Sequence, residues 1–159
     1  MALDAVRRAR TLLQNVTPLA ADCGRFCGAA CCQGDDDTGM LLFPGEEQLY
    51  AACAFGDVRN TGYSLGGRPA LLFVCRDWCA REERPLACRL FPLTVRFGQD
   101  GAPSLIMDPR SAGVCPLYAS GLQGLSPSFR EAALEAFEVL LDDPDCRAFL
   151  TDLQQQLTL

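Results

Sequence analysis

Cys23-Gly-Arg-Phe-Cys27-Gly-Ala-Ala-Cys31-Cys32 places four thiols within ten residues, and a second set, Cys75, Cys79, Cys88 and Cys115, stands far along the chain from them. Thiolates bind zinc or iron tightly, but several packed together repel one another and cannot be buried unless a cation neutralises them. The pattern therefore predicts a fold that gathers two distant Cys groups around a soft metal. In a helix, Cys23, Cys27 and Cys31 would line one face; alternatively, Gly24 and Gly28 would let the backbone turn tightly around the metal. Cys32 diverges from its neighbour Cys31 in either regular conformation, so it would serve a second metal or none. Four Cys acting merely as small core hydrophobes would not be expected at this density with glycines between them.

Composition bounds this reading. Ten Cys in 159 residues is about 6%, more than an intracellular protein needs for packing and less than the ~8–10% of a short disulfide scaffold. Arg7, Arg8 and Arg10 stand where a signal peptide would be unbroken and apolar. No apolar run approaches the ~18–20 residues of a membrane span. The expected setting is thus the cytoplasm, where reduced thiols remain available to metals. A net charge of -6 and a pI near 4.6 argue against a nucleic-acid partner, because phosphate binding needs a positive face. The chain has no His, which excludes Cys/His zinc fingers, His-based triads and a histidine general base. All 14 cationic side chains are Arg, which does not titrate as a base. Length and a 49% apolar content fit a single domain over residues 1–159 with a real core.

Along the chain, Leu3, Val6, Leu13 and Val16 predict an amphipathic helix over 2–16, stopped by Thr17-Pro18. Asp35-Asp36-Asp37-Thr38-Gly39 lacks the later Gly and Glu of a calcium loop and reads as a solvated turn. A short strand is expected over Met40 to Phe43, then a helix from Pro44-Gly45-Glu46-Glu47 to about Phe55 that contains Cys53 as a core thiol. Residues 56–69 read as a turn-rich connection or hairpin, and Ala70 to Val74 as a buried strand delivering Cys75. Thr94 to Phe97 and Ser104 to Met107 flank Asp100-Gly101, a β-hairpin signature. One small antiparallel sheet would then carry Cys75 and Cys115 close together. C-terminal helices over 126–156 start at Ser126-Pro127 and break at Asp143-Pro144, with Phe129, Ala133, Ala136, Phe137, Leu140 and Leu141 on one stripe and Cys146, Phe149, Leu150 and Leu153 on another. The fold class expected is α+β: helices packed around a small antiparallel sheet with a Cys-rich metal centre.

The Cys23 to Cys32 run ending in a Cys pair, the Pro44-Gly45-Glu46-Glu47 helix start, Cys75 and Cys79 followed by Arg84-Pro85-Leu-Ala-Cys88-Arg89-Leu-Phe91-Pro92, and the late Cys115 together resemble the bacterial cysteine-cluster proteins of the YkgJ type, a zinc- or iron-chelating domain family. The resemblance covers residues 23–117, and Arg-Pro-x-x-Cys-Arg-x-Phe-Pro is its most specific part. The family usually spaces its first Cys by two residues, whereas both gaps here are three. Flagellin lysine methylases are similar to this family, but they are longer, and nothing in this chain looks like a methyl-donor domain.

The residues leave the metal open between zinc and a 4Fe-4S iron-sulfur cluster. Zinc favours paired two-residue knuckles, which are absent, while a cluster tolerates varied spacing. Cys-x3-Cys also begins the signature of radical enzymes that bind S-adenosylmethionine, but the third gap here is wrong for it. Three function classes follow: a redox protein, a zinc-stapled structural or interaction module with a protein partner of unspecified kind, or an enzyme such as a relative of a protein-lysine methylase. Cys23, Cys27, Cys31, Cys32, Cys75, Cys79, Cys88 and Cys115 are the expected ligands, with Cys53 and Cys146 in the core. Four thiolates around Zn²⁺ stay net negative, so Arg89, and less directly Arg84, are expected to offset that charge beside Cys88. The competing reading pairs them with Glu82 or Glu83 on the surface.

Overall fold

Ala5, Val6 and Ala9 are buried along one face of the first helix, α1 (Ala2–Leu12), while Arg7 and Arg8 on the other face are exposed, as an amphipathic stripe requires. The computed structural model describes residues 1–19, 39–77 and 79–157. The helix is shorter than its apolar stripe: Leu13 stays buried at 2% exposure, but residues 13–15 already form a turn leading to Pro18.

Strands β1 (Met40–Leu41), β2 (Gly56–Leu65) and β3 (Arg68–Cys75) form an antiparallel sheet in the order β1-β3-β2. The turn-rich stretch after residue 56 is thus the outer strand and turn of a hairpin. At its tip Gly66 has φ 61°, its N–H donates to Asp152 Oδ2 at 2.7 Å, and an added Cβ would lie 2.7 Å from the Phe149 backbone nitrogen. Only glycine seats this turn on the last helix. The segment after β1 is a 3-10 helix, Glu46–Tyr50, that stops short of Phe55. The Phe55 carbonyl accepts from the N–H groups of Arg76 and Asp77, which draws residues 51–55 onto the end of β3 instead of extending the helix.

Strands β4 (Leu93–Phe97) and β5 (Pro103–Met107) pair only with each other among the described residues, with Gly101 at φ 78° in the connection. This corrects the expectation of one sheet carrying both Cys75 and Cys115. Residues 76–92 between β3 and β4 include the short helix α2 (Leu86–Leu90), and β4 buries Leu93, Thr94 and Val95 in the main core rather than joining the first sheet.

Helices α3 (Pro127–Asp142) and α4 (Pro144–Gln156) bury every residue assigned to their two stripes. Asp143 caps α4 by accepting from the Cys146 N–H at 3.0 Å; Ser126 stands at the start of α3 but makes no side-chain cap, its hydroxyl lying 2.9 Å from that of Ser128. The chain is a small α+β domain in which α1, α3, α4 and both sheets share one apolar core, with a smaller cluster around Leu42, Tyr50 and Phe73. No described helix is long and apolar enough to cross a membrane.

Cys146 belongs to that core, with no exposed surface. Burial, reinforced by Asp143, pushes its thiol from 9.0 up to about 12. The folded chain therefore keeps a proton that the unfolded chain releases, so this stabilisation is complete below pH 9.0 and is lost as pH rises toward about 12. Urea melts across that window are expected to show falling stability, and a shallower fall in Cys146→Ala. An identical alkaline slope in the variant would assign the loss to other groups, of which Tyr50, also raised by burial, is the first candidate.

Candidate metal centre

Leu86 and Leu90, four residues apart on α2, are buried at 0% and 2% exposure, which leaves Cys88 between them half-buried on a different side of the helix. Pro85, at the N-cap position, supplies no side-chain cap. The missing acceptor comes from far away in sequence: the Leu86 N–H donates to Glu46 Oε1 at 2.6 Å. Glu46 has no exposed surface, and it also accepts from the Phe43 N–H at 3.1 Å and from Arg10 Nη1 at 3.2 Å. Burial pushes its carboxyl upward, and the two N–H groups and Arg10 pull it back.

Arg10 extends the network. Its Nη1 donates to the Tyr50 hydroxyl at 2.8 Å and its Nη2 to the Glu82 carbonyl at 3.2 Å, while the Tyr50 hydroxyl donates to the Glu83 carbonyl at 2.8 Å. Arg89 then closes it, with Nε donating to the Arg84 carbonyl at 3.1 Å, Nη1 to the Arg10 carbonyl at 3.2 Å and Nη2 to the Glu82 carbonyl. Burial first, and then the charge of Arg10, lowers the Arg89 pKa, yet a guanidinium remains a cation at neutral pH. The residue thus contacts Glu82 through its backbone, not through the surface ion pair that a generic Arg would make.

Cys88 and Cys115 line one cavity of about 100 Å³. Cys115 reaches it from beyond β5: Asp108 caps a 3-10 turn at Pro109–Ser111, and the Cys115 N–H donates to the Ser111 carbonyl at 2.9 Å. The segment after α1, from Val16 to Leu19, also lines it. Arg81 Nη2 donates to the Val16 carbonyl at 2.6 Å and the Ser126 N–H to the Pro18 carbonyl at 2.8 Å, which pins that segment in place. Arg81, Arg84 and Arg89 all border the cavity, and no carboxylate does among the described residues. In a chain of net charge -6 this is a local concentration of positive charge beside two thiols.

Of the other predicted ligands, Cys75 and Cys79 do not line this cavity. Cys75 ends β3 and, with Cys53, packs against the Phe73 cluster; Cys79 is buried at 5% exposure. Cys23, Cys27, Cys31 and Cys32 lie outside the described residues, as does the acidic run at 35–37. Among the described residues no three Cys, Asp or Glu side chains form a metal-holding group. Glu46 and Arg10 were not legible as site-supporting residues: the first reads as an acid in a first helical turn, the second as a cation off an apolar stripe, and only their long-range contacts reveal more. No protein-family model, curated protein or solved structure matches this chain.

Proposed function

We propose that this chain is a cysteine-ligated metal-binding protein of the YkgJ type, holding an iron-sulfur cluster or zinc in a reducing compartment. The observation that carries the reading is the shared cavity: Cys88 and Cys115, from separate elements, border it together with Leu19, and the chain runs from Leu19 to Cys23 in four residues. Either metal takes four thiolates. Two stand on the cavity wall, and the Cys23 to Cys32 run, with Cys75 and Cys79, would complete the sets. The three bordering guanidiniums suit a centre that keeps a net negative charge, about -2 for four thiolates around Zn²⁺. A cluster would supply one-electron redox chemistry; zinc would supply a cross-link between the N-terminal run and the rest of the fold.

Elemental analysis of freshly purified, anaerobically handled protein tests this. Stoichiometric zinc or iron is expected, and no metal above background sinks the reading. Brown absorbance with acid-labile sulfide selects the cluster, and its absence alongside zinc selects the structural site.

A further inference from the structure

We propose that Glu46 is a positioning residue for the Cys88 thiol, holding α2 by its first N–H and, through Arg10, holding the residue that follows Cys88. This rests on the metal-binding reading and specifies which part of the fold prepares the site.

The five residues of α2 are too few to stand as a helix alone, and its start lacks a cap of its own. Its buried side, Leu86 and Leu90, sets which face turns inward, but apolar contact is non-directional and makes no hydrogen bond to the first N–H. The Leu86 N–H bond to Glu46 Oε1, at 2.6 Å, supplies a directional tie two residues before Cys88. The tie after Cys88 runs the other way round the same network. Arg10 Nη1 bonds Glu46 Oε1, and the Arg10 backbone carbonyl accepts from Arg89 Nη1 at 3.2 Å. Cys88 is thereby tied on both sides, before it directly to the Glu46 carboxylate through the Leu86 N–H. After it the tie is one step removed, where Arg89 Nη2 shares the Glu82 carbonyl with Arg10 Nη2. An apolar side chain of similar volume would avoid the desolvation cost of a fully buried acid. What the carboxylate adds is acceptors: three donors, the N–H groups of Phe43 and Leu86 and the Arg10 guanidinium, converge on its two oxygens. An amide offers one oxygen and turns its NH₂ toward a donor whichever way it is placed.

The test compares wild type, Glu46→Gln and a core control, Leu150→Ala, which lowers stability from α4 outside this network. Two readouts are taken on full-length folded protein: Zn²⁺ affinity by chelator competition, and the alkylation rate of Cys88 in metal-free protein, followed by peptide mass. Glu46→Gln is expected to weaken Zn²⁺ binding about tenfold or more, as loss of a supporting residue around a metal does, and to speed Cys88 alkylation several-fold over Leu150→Ala. Equal behaviour of Glu46→Gln and Leu150→Ala in both readouts overturns the positioning role. If wild type binds no Zn²⁺ or iron, the metal reading fails by itself, and the alkylation rate alone decides the role of Glu46. Should Glu46→Gln not fold, Glu46→Asp, which keeps both oxygens but draws them back from Leu86, is measured in the same way; an unchanged Cys88 rate there overturns the proposal.

Discussion

Cys88→Ser is expected to leave the purified protein with less than about a tenth of the wild-type metal content and to lower its thermal stability in the same variant, because ligation energy in a site assembled by folding is folding energy. A hydroxyl is a poor substitute for a thiolate on a soft metal. Cys115→Ser should behave alike, since its side chain borders the same cavity from a different element. Cys146→Ala provides the contrast: that thiol is wholly buried in the apolar core, so the change should cost about 1 kcal/mol through a small cavity and leave metal content unchanged. Metal and melting temperature measured on the same preparations decide. Full metal in Cys88→Ser, or loss of it in Cys146→Ala, would refute this sorting of the cysteines.

Glu46→Leu should be among the most destabilising single changes in the chain, at about 3–5 kcal/mol, because removing one partner of a buried ion pair leaves the other uncompensated. The new side chain fills the volume, yet the Leu86 and Phe43 N–H groups lose their acceptor and Arg10, whose side chain is only 14% exposed, loses its counter-charge. Against a total stability of roughly 5–15 kcal/mol, that loss should appear as a large drop in urea midpoint with an unchanged slope. Arg10→Met added to Glu46→Leu should recover a substantial part of it, since replacing both members of a buried pair by apolar groups is far less costly than breaking it. A double variant as unstable as the sum of its singles would mean that the two residues act independently.

Much of the fold was legible from local pattern. The two C-terminal stripes and the break at Asp143-Pro144 follow from the sequence residue by residue, because a 3.6-residue period and a proline act over a few residues. Asp100-Gly101 marked the β4–β5 turn for the same reason: positive φ is a local demand. The helix after Pro44-Gly45 stops at Tyr50 and not near Phe55, whose carbonyl instead accepts from Arg76 and Asp77 just past β3, a long-range contact that local pattern does not carry.

Residue type and spacing alone determined that Cys146 belongs to the core, where it is wholly buried on one stripe of α4. Only tertiary structure decided that Cys88 and Cys115 share a cavity while Cys75 ends a strand of another sheet, and that a glutamate forty residues upstream caps the helix bearing Cys88. The physical reason is range. Periodicity, turns and prolines act through neighbouring backbone groups, whereas the partner of a buried carboxylate is chosen by whichever donors the packed core leaves without water, and no local pattern encodes that choice.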